Sequence, residues 1–174
     1  MKGAKKVVFL DRDKRKILLF CRFGGYMKNQ DIFCIASDFR SAIIEAKHDG
    51  KFDFRDRMSN FPRGCCDDSC DLLAYYLYNT YKIHTKQGNG KYRDNEPYNT
   101  TNHAWLITDD NTIIDITGDQ FEYCAGYVEE VYVGKGNSFY IRLEDKRSYE
   151  NYDITQSKRL WKDYQIILEY MNRN

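Results

Sequence analysis

The sequence predicts an α+β domain: a helix that carries a cysteine at its start, packed on an antiparallel sheet. Three observations lead there. Apolar residues recur at helical spacing after Cys66 and again over 157–171. Short β-rich runs come in pairs split by turn residues, at 103–108 with 112–117 and at 129–134 with 138–143. Strands and helices do not alternate in the βαβ order that a parallel sheet needs.

Taken in order, Lys5–Leu10 and Lys16–Phe23 flank Asp11-Arg-Asp-Lys14 and read as an N-terminal β-hairpin, which Gly24-Gly25 breaks. Asp31–Ile35 reads as a short third strand. Ser37 then caps a helix through about Lys47, with Phe39, Ile43, Ile44 and Ala46 on its apolar face and Asp49-Gly50 at its end. Lys51–Asn60 is a connector. The Cys66 helix runs to about Tyr78, and Tyr81–Thr85 reads as a strand. Lys86–Thr101 is polar and rich in turn residues. It reads either as a loop covering a site or as an exposed hairpin without a role. Asp109-Asp-Asn111 joins the strands His103–Thr108 and Thr112–Thr117. Glu129–Gly134 and Ser138–Leu143 read as a second strand pair around Gly134-Lys-Gly136. Ser157–Met171 is a closing C-terminal helix with Leu160, Trp161, Tyr164, Ile167, Leu168 and Met171 inward. The whole, 1–174, reads as one domain: an N-terminal strand extension over 1–36 and a core over 37–174.

A chain of 174 residues can bury a core without disulfide staples. Its net charge of +1 gives no reason to expect a nucleic-acid or acidic-membrane partner. The six cysteines, Cys21, Cys34, Cys65, Cys66, Cys70 and Cys124, include no Cys-x-x-Cys pair. The run Val7–Leu10 is too short for a signal h-region, and no stretch is long enough to span a bilayer. The expected setting is therefore cytoplasmic, with reduced thiols.

The chemistry gathers around Phe61-Pro-Arg-Gly-Cys-Cys-Asp-Asp68. Pro62 and Gly64 make a turn that delivers a cysteine to the first turn of a helix. There the unpaired backbone amides favour a thiolate and can hold the oxygen of a tetrahedral intermediate. A nucleophilic cysteine also needs a base, and that base needs an orienting group. His103 opens a strand, and the turn near Asp110 brings Asp115 nearly opposite it. Asp115 is the single charge within Ile113-Ile114-Asp-Ile116, where a carboxylate requires a partner. One imidazole nitrogen would then serve Asp115 and the other the thiol.

Cys65 competes with Cys66 for the helix start. The Gly-x-Cys register and the face shared with Cys70 and Leu73 favour Cys66. Cys70, one turn further on, is either a core residue or a resolving thiol. A zinc site from Cys65, Cys66, Cys70 and His103 lacks paired-ligand spacing, so no metal or other cofactor is expected. Gln120, Asn60 and Asn102 are candidates for a second oxyanion donor, Gln120 foremost. His48 and His84 have no partner pattern.

Gly64-x-Cys66-x-Asp68 at a helix start, His103-Ala-Trp105, then Asp115-x-Thr117 resembles the core of the transglutaminase-like superfamily, related to papain-like cysteine peptidases. The likeness covers about a third of the chain, from Phe61 to Phe121. The longer string with Asp115-Ile-Thr-Gly-Asp-Gln-Phe121 is similar to small bacterial and phage proteins of that kind. The resemblance implies Cys66 as nucleophile, His103 as base and Asp115 as orienting acid, with Trp105 packed beside the site. Asp115-Ile116-Thr117 departs from the usual Asp-Pro-Thr. The expected activity is acyl transfer through a thioester, on a protein or peptide substrate. Hydrolysis of a peptide or side-chain amide is expected first. A transamidase, or a silent binding or immunity module on the same fold, is the alternative; so is a thiol protein built on Cys65, Cys66 and Cys70.

Overall fold

In a computed structural model of the chain, residues 28–93, 100–127 and 129–173 are described. The N-terminal hairpin expected over residues 5–23 lies outside them.

The first helix, α1, spans Asn29–His48. It takes in residues 31–35, expected as a strand, and residues 29–36 of the extension expected over 1–36. The reason is legible in its burial: Ile32, Ile35, Ala36, Phe39, Ala42, Ile43 and Ala46 are all buried and follow one helical stripe. Asp31 accepts from the Lys28 amide at 3.1 Å and sits at the positive end of the helix. Ser37 is therefore no cap. It lies mid-helix and its hydroxyl donates to the Phe33 carbonyl four residues back.

Helix α2, Cys66–Tyr81, ends where Lys82 turns left-handed at φ 61°. It thus takes Tyr81, expected to open a strand. The polar stretch after it is strand β1, Thr85–Arg93, antiparallel to β2, Thr100–Thr108. Residues 85–93 are thus one arm of a hairpin, the second of the two expected readings, and residues 94–99 lie outside the described residues. Strand β3 is Ile113–Asp115, followed by a 3-10 turn over Gly118–Phe121 and the short helix α3, Glu122–Ala125. Only Tyr132–Gly134 of the expected 129–134 strand forms, as β4. Its expected partner, 138–143, is instead helix α4, Ser138–Arg142. The Asn137 side chain accepts from the Phe139 and Tyr140 amides and starts that helix. Strand β5, Glu144–Glu150, follows, and α5 spans Lys158–Met171 with Ser157 as its N-cap.

The sheet order is β4-β3-β2-β1-β5, every pairing antiparallel. Side chains alternate across it. On one face Ala104, Leu106 and Ile114 join the large core made with α1, α2 and α5. On the other, Trp105 meets a smaller aromatic core of Tyr92, Phe121, Phe139 and Tyr140. β2 is therefore buried on both faces at its centre, which fixes the side from which His103 projects. In α5, Leu160, Tyr164, Ile167 and Met171 are buried as expected, whereas Trp161 is 39% exposed. Among the described residues, no helix is long and apolar enough to cross a membrane.

Candidate active site

The start of α2 is prepared by a tight turn. Gly64 has φ +69°, a conformation that glycine adopts without a Cβ penalty. The chain then enters the helix with Cys65 as N-cap and Cys66 as its first residue. The two neighbours are sharply different. Cys65 is fully buried, receives the Ser69 hydroxyl at 3.7 Å, and burial pushes its thiol up to about 12. Cys66 is half-buried and lies near His103, whose proton it helps to hold. Cys70 is buried, and desolvation holds its thiol well above the ordinary value. The described cysteines are all free thiols.

Asp67 and Asp68 would place two negative charges beside the thiol, but both are answered by arginine. Arg57 donates to both oxygens of Asp67 at 3.0 Å and to Asp68 at 2.6 Å. Arg159, from α5, grips Asp68 with two bonds of 2.8 and 2.9 Å. This clamp also ties the closing helix to the cysteine turn.

His103 is wholly buried, and its Nε2 donates to Asp115 Oδ2 at 2.6 Å. The β2–β3 register pairs Leu106 with Ile114 and Ile107 with Ile113. Continued by one step, it sets Trp105 opposite Asp115 and leaves His103 on the diagonal, within side-chain reach. Nε2 is thus committed to the acid, which leaves Nδ1 for other partners. Burial drives the imidazole towards its neutral form. The charge and hydrogen bond of Asp115, with Cys66 adding to them, outweigh it and raise His103 to about 9. Burial pushes Asp115 the other way, but its donors prevail and hold it below the usual carboxylate range. Its Oδ1 accepts from the Thr117 amide at 2.8 Å and hydroxyl at 3.2 Å, and its Oδ2 accepts from the Tyr140 hydroxyl at 2.8 Å as well as from His103.

Gln120 lies at the open side of the imidazole. Its Nε2 is 3.3 Å from His103 Nδ1 and donates to the Thr117 carbonyl at 2.9 Å. The turn that carries it is fixed by Arg40, a buried side chain on α1. Arg40 donates to the Ile116 carbonyl and to both Asp119 oxygens, at 3.1 and 2.7 Å. Trp105 is 5.7 Å from His103, ring to ring, and only 3% exposed. It packs in the wall behind the histidine, and it also lines a surface cleft with Ile107, Tyr140 and Ile141. Asn60 and Asn102 are exposed, Asn60 lending its carbonyl to the Arg63 amide. His48 and His84 are exposed, the latter against Tyr78. Among the described residues, no group of three or more His, Cys, Asp or Glu side chains is arranged to hold a metal ion.

Sequence reasoning misses Tyr140, Arg40, Arg57 and Arg159. Asn137 is the one available signal: a capping residue that marks a helix start three residues before Tyr140. The arginines reach the site from remote elements and carry no local signature.

Compared with family models, curated proteins and solved structures, the chain matches none.

Proposed function

We propose that the chain is a cysteine-dependent acyl-transfer enzyme with a transglutaminase-like, papain-related core and a Cys66–His103–Asp115 triad. One observation carries this: the buried His103 spends Nε2 on Asp115 at 2.6 Å and lies near a half-buried thiol at a helix start. In this reading His103, raised to about 9, already holds the proton that Cys66 gives up, and the sulfur attacks a carbonyl carbon beside the imidazolium. In the same reading the first free amides of α2 serve the developing oxyanion, and Gln120 would join them by turning its NH2 away from His103 Nδ1. Collapse of the intermediate leaves a thioester on Cys66, and His103 returns the proton to the leaving amine. Asp115 stabilises the imidazolium meanwhile.

Water is the favoured acceptor. A transamidase needs an apolar slot that excludes water and admits an amine. Trp105 and Phe121, the aromatics best placed in sequence to build one, are buried behind His103, and Tyr123 is 81% exposed. The reading is therefore a hydrolase of peptide or side-chain amides. The test is intact-protein mass spectrometry with glutamine-containing peptides, with and without a labelled primary amine. A transient acyl adduct on Cys66 with release of ammonia or peptide supports it. Cys66-dependent incorporation of the amine would make the protein a transamidase. No adduct across broad peptide pools would favour a silent binding module.

A further inference from the structure

Tyr140 enters the site from the far side of the acid, on a helix whose sequence reads as a strand. Its hydroxyl is 2.8 Å from Asp115 Oδ2, the oxygen that His103 also uses. The ring cannot swing away. It is 3% exposed and packed against Trp105, Tyr132 and Phe139 at centroid distances of 5.7, 5.0 and 5.3 Å.

Counting donors fixes the direction of the bonds behind it. A phenol has one proton. Tyr140 spends its proton on Asp115, whose ionised carboxylate can only accept. The Tyr127 ring stands edge-on to that of Tyr140 at 6.1 Å, and with the Tyr140 proton spent, Tyr127 can only be the donor between the two hydroxyls. Tyr127 in turn accepts from Asn137 Nδ2 at 3.2 Å. The same Asn137 caps the helix that carries Tyr140. The donors point one way, from Asn137 to Tyr127 and from Tyr140 to Asp115. Each donor polarises the next. Space is reserved for it: a Cβ on Gly118 would lie 2.6 Å from Tyr127 Cε1 and 3.2 Å from Asp115 Oδ2.

We infer that Tyr140 is a positioning residue of the triad, which acts through Asp115 and, backed by Tyr127 and Asn137, keeps the shared proton on His103. This rests on the triad reading above. The logic is a division of labour on one carboxylate. Thr117 already fixes its orientation by two bonds to Oδ1. The second donor on Oδ2 therefore acts mainly on charge. It draws density from the oxygen that faces Nε2, lowering its basicity. The acid neither takes the proton from His103 nor holds the imidazolium so tightly that Nδ1 fails as a base. The ionisable groups around this path are Cys66 and Cys70 from α2, Asp115 from β3, Tyr127 following α3, Glu129, which accepts from Asn137 Nδ2 at 3.4 Å, Tyr132 of β4 against the Tyr140 ring, and Lys146 of β5, whose Nζ donates to the Tyr140 carbonyl.

The test is a titration of the His103 ring by NMR in the full chain, its signal assigned by loss in His103→Gln. Tyr140→Phe removes only the hydroxyl. The His103 midpoint is expected to rise by about half to one pH unit, the scale of one hydrogen bond to a charged group. Tyr127→Phe, at a half-buried site, should move it the same way by less, and it serves as the readout if Tyr140→Phe does not fold. An unchanged midpoint in both variants, or a fall, would overturn the inference. The titration needs no substrate, so a failure here is separate from a failure to find an acyl-enzyme.

Discussion

Replacing Asp115 by Asn separates what its charge does from what its shape does. The carboxylate takes four donors: His103 Nε2 and the Tyr140 hydroxyl on Oδ2, the Thr117 amide and hydroxyl on Oδ1. An amide of the same shape has one accepting oxygen and one donating nitrogen. With its oxygen towards Thr117, its NH2 meets the donors of His103 and Tyr140. Turned round, it meets the Thr117 amide. His103 can answer the first arrangement only by moving its proton to Nδ1, which then cannot accept from Cys66. A wrong tautomer of this kind lowers turnover by about 10⁴. In either arrangement a buried donor is left unpaired, at about 1–3 kcal/mol. For a chain of this size that lowers Tm by roughly 2–12 °C. Calorimetry reads the second effect. The rate at which iodoacetamide labels Cys66, followed by peptide mass mapping, reads the first without a known substrate and should fall at least about tenfold. A variant that melts like the native chain and labels at the native rate would refute the reasoning.

Three further outcomes are expected. His103 stands near 9 in the fold against an ordinary value of 6.5, so the folded state binds its proton more tightly than the unfolded one. That stabilisation is full below about pH 6.5 and is lost as pH rises towards 9, a span worth about 3 kcal/mol; urea unfolding at both pH values should show the drop in the native chain and a flatter profile in His103→Gln. Asp163 is buried, and burial with the nearby Asp56 raises it to about 7, while its Oδ2 lacks a hydrogen bond and the Arg159 guanidinium stays 3.6 Å away. A raised carboxyl favours the fold below about pH 4 and loses that advantage by pH 7, so Asp163→Asn should raise stability at pH 8 by about 1–2 kcal/mol, and a loss there would show that the charge is needed. Asp68→Ala leaves Arg57 and Arg159 without their shared partner; because both guanidiniums are partly exposed, the cost should be about 2 kcal/mol, below that of a fully buried pair, and an unchanged Tm would show the clamp to be idle.

Much of the site is legible in the sequence because it is local. Pro62 and Gly64 mark a turn, the residues after Cys66 follow a helical stripe, and Asp109-Asp-Asn111 fixes the hairpin that brings Asp115 to His103. These need only short-range geometry. The misses have a common cause. Strand β5 reads Glu-Asp-Lys-Arg-Ser-Tyr-Glu and is exposed throughout, so it carries no apolar alternation. It is held by backbone pairing to β1, with cross-strand ion pairs such as Lys91 with Asp145 and Arg93 with Glu144. β1 is hidden in the same way by Gly88 and Gly90, which make room for Trp105: a Cβ on Gly88 would lie 2.4 Å from its Nε1. Residues 138–143 have β-forming side chains, and tertiary packing against the aromatic core overrides that preference. Residues 31–35 look like a strand only when read apart from Phe39 and Ile43, which continue their stripe.

The central claim is that His103 activates Cys66. It is tested most directly by the alkylation rate of each thiol between pH 6 and 9, in the native chain and in His103→Ala. Cys34 and Cys124 are exposed and serve as internal references, while Cys65 and Cys70 are buried. The account predicts that Cys66 labels fastest near neutral pH despite being half-buried, and that His103→Ala slows it at least about tenfold while leaving the reference thiols unchanged. Labelling of Cys66 no faster than Cys34 and Cys124, or at the same rate with and without His103, would contradict it.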